Sequence, residues 1–323
     1  MRVLVTGGTG WIGGRVVTEL LQDGHEVRVL ALLGEPPGDV ALMHGDIRDA
    51  ARVASAVDGV DAIVHCAAVI HPRQAPEFRE VNAAGTALLV DAAAAAGVGR
   101  LVHVSSNAAA GFQRERDVLL TEDDPPRPRG GYGRSKAEAE SIVRKAHARG
   151  ALETVIARPC RCYGRGQPPR VERVFEMVRS GRVPVFGDGG ALRSMSSVDD
   201  VARVLVQCLD DPAAAGETFW IADERPYTTI EAFEAMAAAA GVPLRVRRLP
   251  RAGARACEAL DLGLERLGAY SMSLHLAGES THHIGCSVEK AKRALGFEPR
   301  DDLVGGFRAA LAASPSAPAL VAA

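Results

Sequence analysis

The stretch Val3-Leu4-Val5-Thr6-Gly7-Gly8-Thr9-Gly10-Trp11-Ile12-Gly13 decides the fold. It opens as a buried apolar strand, breaks at a glycine-rich turn and continues from Ile12 to Asp23 as a helical run. Glycines at 7, 10 and 13 permit a tight turn, a close backbone approach to a pyrophosphate and close packing of helix on strand, while the helix N-terminus offers amide donors to the anion. Three glycines alone are a weak signal, and a merely structural turn is the competing reading. Their place between a strand and a helix makes dinucleotide binding the expectation.

Outward from this turn, strand-like and helical runs alternate. Val27 to Leu30, Ala62 to Cys66, Leu101 to Ser105 and Thr154 to Ala157 read as strands, and Asp49 to Val57, Ala83 to Ala96 and Ser135 to Ala148 as helices. That order predicts parallel βαβ units and a doubly wound sheet with ligands beyond the carboxyl ends of its strands. After Arg158-Pro159 the pattern turns irregular, with Pro168-Pro169, Pro184 and Gly187-Asp188-Gly189-Gly190 around a helix near Val171 to Ser180. Val198 to Leu209 reads as a helix, and Thr218 to Ile221 as a strand returned to the sheet. The expected fold class is α/β: a doubly wound parallel Rossmann sheet with a smaller C-terminal substrate-binding part. Residues 1–158 plus about 193–222 should form the dinucleotide-binding domain, and 159–192 plus about 223–323 the substrate-binding region, with a frayed tail over Ala313 to Ala323.

The TGxxGxxG spacing resembles that of the extended short-chain dehydrogenases, also called NAD-dependent epimerase/dehydratases, and the likeness extends over nearly the whole chain. It takes in Gly45-Asp46-Ile47-Arg48-Asp49, His65-Cys66-Ala67-Ala68 and Val81-Asn82-Ala83-Ala84-Gly85-Thr86. The resemblance implies cofactor contacts from Gly7, Gly10, Trp11, Ile12, Asp46, Ile47 and Ala67, with Asp46 at the adenine amino group. Asp46 can alternatively be a loop or capping residue, although Asp49 is better placed to cap the next helix. Asn82 has two readings as well, a support for the active site or a helix cap.

Tyr132-Gly133-Arg134-Ser135-Lys136 matches the family's YxxxK motif. Spacing of four puts both side chains on one helix face, one turn apart. A free tyrosine titrates near 10 and is a poor base at neutral pH, whereas a neighbouring ammonium and a cationic nicotinamide favour the phenolate. Lys136 is therefore expected to act on the tyrosine and to hold the nicotinamide ribose, and both residues are expected at the cofactor. By the family's pattern Ser106, after the strand Leu101 to Ser105, completes the catalytic set, with Ser105 the fallback. Substrate contacts are expected from Ser106, Asn107 and Arg193, the last either on a substrate diphosphate or on a nearby carboxylate.

The expected activity is interconversion of a secondary alcohol and a ketone on a small molecule, whether sugar nucleotide, steroid-like compound or secondary metabolite. A sugar-nucleotide epimerase is the alternative, and a non-catalytic dinucleotide sensor a second one, disfavoured by the intact YxxxK pair. Dehydratases of the family carry Asp-Glu after the catalytic hydroxyl residue, where this chain has Asn107-Ala108, and many epimerases carry Tyr-Gly where it has Ala110-Gly111. Cofactor choice is NAD(P) with a lean to NAD. Neither an acid nor an arginine follows the second strand at Ala31-Leu32, and the stretch from Ala31 to Ile47 contains Glu35 and Asp39 but no Lys or Arg. Arg15 or Arg28 folding over the adenosine would reverse that lean.

Composition narrows the partners. A formal net charge of −2 provides no broad field for a phosphate backbone, so nucleic acid is not an expected partner. Apolar runs such as Ala62 to Ile70 and Ala83 to Val98 fall short of the roughly 18 residues a membrane span needs, and Met1 is followed directly by a strand, so the expected location is the cytoplasm. Six scattered cysteines lack CxxC spacing and read as packing, Cys160 and Cys162 included, and His282-His283 reads as a loop or core pair; no metal is expected. The resemblance implies a homodimer through helices such as Ala83 to Ala96 and Ser135 to Ala148.

Overall fold

The computed structural model describes residues 1–300 and 302–313; of the expected frayed tail, everything past Ala313 lies outside the described residues. Strands β1 (Arg2–Thr6), β2 (Glu26–Ala31), β3 (Ala41–His44), β4 (Ala62–His65), β5 (Arg100–Val104) and β6 (Glu153–Pro159) are joined by a seventh, Thr218–Ile221. The sheet runs Thr218–Ile221, β6, β5, β4, β1, β2, β3, and every pairing is parallel. The order reverses between β1 and β4, which opens a crevice at their carboxyl ends.

Strand alternation divides the core in two. Val3, Val5, Val64, Val102 and Val104 enter one apolar cluster, in which helix α1 (Trp11–Gln22) packs through Val16, Val17 and Leu20, and the helix Val198–Gln207 through Val201, Val204 and Leu205. Leu4, Ile63 and Leu101 face the opposite cluster, covered by helix α2 (Ala50–Val57) and the helices Gly85–Ala95 and Gly130–Ala148. Side chains one apart on a strand point to opposite faces, so each buried strand needs apolar residues at consecutive positions.

Among the described residues beyond β6 there are three two-stranded sheets and a third cluster around Tyr163, Phe175, Val183, Val185, Met195 and Phe307. The division expected near residue 223 differs in one respect: Cys286, Val288, Ala291, Leu295 and Phe297 return to the core of the large sheet, where the helix Glu289–Leu295 lies beside the strand Thr218–Ile221. Trp220 is fully buried in that edge strand beneath the Arg158 guanidinium. Two further departures are local. The strand Ala41–His44 follows a Gly/Pro-rich loop and is too short and too mixed in burial to announce itself. The helix expected from Ser135 begins earlier, at Gly130, and its first turn takes in Tyr132, as the four-residue spacing to Lys136 requires.

Candidate active site

The glycine turn is dictated by space. Gly7 has φ +69°, and a Cβ there would stand 2.9 Å from backbone atoms of Ala67 in the loop after β4. At Gly13 a Cβ would fall 2.2 Å from the carbonyl oxygen of Gly7, and at Gly10 it would lie 3.2 Å from the same oxygen. Gly10 is the N-cap of α1 and supplies no side-chain hydrogen bond, so the leading amides of the helix keep their donors for an external acceptor. Trp11 and Ile12 open that helix, half-buried, and the Trp11 indole Nε1 donates to the Arg165 carbonyl at 2.6 Å. These features fit a dinucleotide diphosphate: an exposed N-cap glycine, unspent amides, and no Cβ in the way.

Asp46 and Ile47 follow β3 at the same end of the sheet. Ile47 is buried against Gly85, and the Asp46 carboxylate is held by Arg48 at 2.7 to 3.1 Å, which keeps its carboxyl below the usual range. Asp49 caps α2 through the amides of Ala51 and Arg52, as its position suggested.

Behind the crevice lies a directed hydrogen-bond chain. The Ala67 amide donates to Thr6 Oγ1 at 3.3 Å, Thr6 Oγ1 lies 2.7 Å from His65 Nδ1, His65 Nε2 lies 2.9 Å from Thr86 Oγ1, and Thr86 donates to the Asn82 carbonyl at 2.6 Å. Because the Thr86 hydroxyl proton is committed, His65 must donate from Nε2 and accept at Nδ1, which fixes a neutral tautomer. Burial, with the Lys136 charge nearby, lowers its pKa to about 3. Asn82 sits inside a π-helical turn, Glu80–Ala84, and is no cap. Its amide bonds both backbone groups of Val69 and donates to Ser135 Oγ at 3.0 Å; Ser135 in turn donates to the Tyr132 carbonyl at 2.8 Å. Asn82 thus ties the β4 loop to the helix that carries Tyr132.

That helix meets the end of β5 closely. A Cβ at Gly133 would stand 2.7 Å from the carbonyl oxygen of Ala108, so the missing side chain lets the Tyr132 turn rest on the short helix Asn107–Ala110. Ser106 caps this short helix through the Ala108 amide and lies 3.3 Å from Asn107 Oδ1. Ser105 points the other way: it is buried and donates to Glu140 Oε1 at 2.6 Å, within a network completed by Arg158 and Arg144. Lys136 is 2% exposed, donates to the Val104 carbonyl at 2.7 Å, and has its pKa lowered by burial to about 8. Tyr132 is half-buried, its ring 6.0 Å from that of Phe78.

Ser106, Asn107, Tyr132, Lys136, Asn82, Ala67 and the glycine turn therefore converge at the carboxyl ends of β1, β4 and β5. Arg193 stands apart, in the two-residue strand Leu192–Arg193, with its guanidinium on the Glu279 carbonyl rather than on a carboxylate oxygen, and Nη1 without a partner among the described residues. Burial lowers its pKa to about 10. His282 pairs with Glu258 and stacks on Phe112, and His283 accepts from the Leu192 amide; both serve the loop. Sequence reading passed over His103, which lies 3.4 Å from Lys136, and the buried Glu140. The signal for Glu140 was its place one turn beyond Lys136, but the signal for His103 exists only once β4 and β5 pair His65 with it.

Residues 3–222 match the NAD dependent epimerase/dehydratase family. A 3-beta-hydroxysteroid dehydrogenase of Mycolicibacterium neoaurum is 30% identical over 92% of this chain and 87% of its own length. An uncharacterized protein of Sinorhizobium fredii, y4nL, reaches 36% over 95% and 93%. The Thermus thermophilus UDP-glucose 4-epimerase solved in complex with NAD superimposes with a TM-score of 0.78 at 28% identity, covering 97% of this chain and 98% of that one. A glycine cradle, a neighbouring Ser, Tyr and Lys, and a family match over two thirds of the length agree: the chain belongs to the NAD-dependent epimerase/dehydratase family.

Proposed function

We propose that the protein is an NAD-dependent oxidoreductase that interconverts a secondary alcohol and a ketone on a small molecule, with Tyr132 as the proton-transferring group. The observation that carries this reading is the seating of Gly133 on Ala108, which puts the Tyr132 turn beside Ser106, with the Lys136 ammonium on the strand just before that serine. When bound, NAD supplies the hydride acceptor at its nicotinamide ring. The Tyr132 oxygen takes the carbinol proton, favoured as phenolate by Lys136, and the Ser106 hydroxyl orients the same oxygen. Asp46, Ile47, Trp11, Ile12 and Ala67 contact the cofactor in this reading, and Asn107 lies on the substrate side.

Simple oxidoreduction is favoured over epimerisation by Ala110-Gly111, where the buried methyl of Ala110 stands in place of the phenol that many epimerases carry. The unpartnered Nη1 of Arg193 supports a substrate with an anionic group, which a screen of sugar nucleotides against hydroxysteroids addresses. The sequence expectations of a homodimer and of a cytoplasmic location belong to the same reading; sedimentation tests the first. The functional test is to follow nicotinamide absorbance with exogenous NAD, then to repeat it with Tyr132→Phe. Cofactor binding should persist while turnover falls by roughly 10² to 10⁴. A fully active variant removes the assigned acid/base, and a cofactor that returns oxidised without net consumption points to epimerisation.

A further inference from the structure

Gln167 lies in the turn between Tyr163 and the helix Pro169–Arg179, 8% exposed, and among the described residues neither its Nε2 nor its Oε1 meets a hydrogen-bond partner. A buried amide left unpaired costs about 1–3 kcal/mol for each group so treated, and leucine would fill the same volume without that cost. The turn is fastened to the cofactor cradle. Arg165 accepts from the Trp11 indole at 2.6 Å, and Gly166, at φ +69°, lies flat enough against that indole that a Cβ would stand 3.8 Å from its Cδ1. Trp11 is the first residue of α1, whose leading amides form the diphosphate site.

We propose that Gln167 is a ligand of the bound dinucleotide and contacts its ribose-diphosphate portion. The chemistry of the amide selects that portion: Nε2 donates to a phosphate or ribose oxygen, but Oε1 requires a donor, which a phosphate lacks and a ribose hydroxyl provides. Cofactor binding then completes both hydrogen bonds and ties the 164–168 turn, part of the substrate-side region and already fastened to the cradle, to the ligand as well. The inference rests on the dinucleotide reading of the glycine turn and adds to it a contact from outside the nucleotide-binding segments.

The experiment compares wild type, Gln167→Leu and Gln167→Glu by calorimetric titration with NAD, ADP-ribose and AMP, alongside thermal unfolding without ligand. Gln167→Leu should melt no lower than wild type, because an unsatisfied amide has been removed, yet bind NAD and ADP-ribose about tenfold more weakly or worse. Gln167→Glu should bind them more weakly still, since it loses the donor and adds charge repulsion. AMP, which carries the adenosine ribose and one phosphate, assigns the contact: its binding weakens alongside NAD if Gln167 meets that half and is unaffected if Gln167 meets the second ribose and phosphate. If Gln167→Leu does not fold, chemical-shift mapping of the wild-type Gln167 side-chain amide replaces it, and that signal must move on adding NAD. NAD affinity in Gln167→Leu within about twofold of wild type, or an unmoved amide signal, overturns the inference alone. A wild-type chain that binds none of the three ligands overturns the dinucleotide reading beneath it.

Discussion

His103 Nε2 and Lys136 Nζ meet 3.4 Å apart behind the carboxyl end of β5, where the same ammonium donates to the Val104 carbonyl at 2.7 Å. His103 is fully buried and its pKa falls well below the ordinary value, first through burial and then through the Lys136 charge, so it stays neutral and can accept. Two of the three ammonium protons are thereby occupied inside the protein. The third has no partner among the described residues.

This arrangement has a cost that can be measured. Burial lowers the Lys136 pKa from 10.5 to about 8, so between those values the unfolded chain binds more protons than the native one, and stability rises with pH across that window. Below about 8 the buried ammonium destabilises the fold in full, by an order of 3 kcal/mol. Lys136→Met is expected to raise the melting temperature at pH 7 and to lose that advantage as pH approaches 10.5, while turnover falls at least about 100-fold. A Lys136→Met protein less stable than wild type at pH 7 would show that the hydrogen bonds to Val104 and His103 outweigh desolvation.

The two neighbouring serines should separate stability from chemistry. Ser105 is a buried donor to Glu140, and its replacement by alanine leaves that carboxylate one bond short, a loss of about 1–3 kcal/mol in denaturant unfolding with kcat largely kept. Ser106→Ala removes one cap bond to Ala108 at a cost of about 1 kcal/mol but should reduce kcat by about tenfold or more. The reverse pattern would move the catalytic hydroxyl to Ser105.

What the sequence made legible follows from which interactions are local. The glycine turn, the Tyr132–Lys136 spacing and the strand–helix alternation are encoded within one or two turns of chain, and the parallel, doubly wound character of the sheet follows from them by the preference for right-handed crossovers. The chain from Cys286 to Phe297 could not be placed that way, because it is apolar in a manner equally suited to either core. His65 and His103 are 38 positions apart and become neighbours only through the register of β4 on β5. Gln167 was invisible for a similar reason: an amide in a Gly/Pro-rich loop reads as solvent-facing until the Trp11–Arg165 bond draws that loop inward.

The glycines of the turn should differ in kind. At Gly13 an alanine methyl would sit 2.2 Å from the Gly7 carbonyl, so Gly13→Ala must separate α1 from β1 and should lower thermal stability severely, by several kcal/mol. At Gly10 the contact is 3.2 Å and the position is exposed, so Gly10→Ala should fold with a near-native melting temperature and still bind NAD at least about tenfold more weakly. Equal melting temperatures for the two variants would contradict the packing argument, and undiminished NAD affinity in Gly10→Ala would contradict the cradle.

Discrimination against NADP is expected from what surrounds the end of β2. Leu32 and Leu33 follow Ala31 with 61% and 76% exposure, and the loop they open contains Glu35 and Asp39 but no basic residue. The two arginines able to reverse the preference are engaged elsewhere: Arg15 with Asp199, and Arg28 with the Ala56 and Asp58 carbonyls. A 2′-phosphate placed here meets acids and no compensating cation, a penalty that water and salt reduce but do not abolish. The kcat/KM for NAD should therefore exceed that for NADP by about tenfold or more. Leu32→Arg should raise kcat/KM for NADP by a similar factor, most strongly at low ionic strength, and change the NAD value little. A wild-type preference for NADP would mean that Arg15 leaves Asp199 when the cofactor binds, and Asp199→Asn would then strengthen NADP binding further.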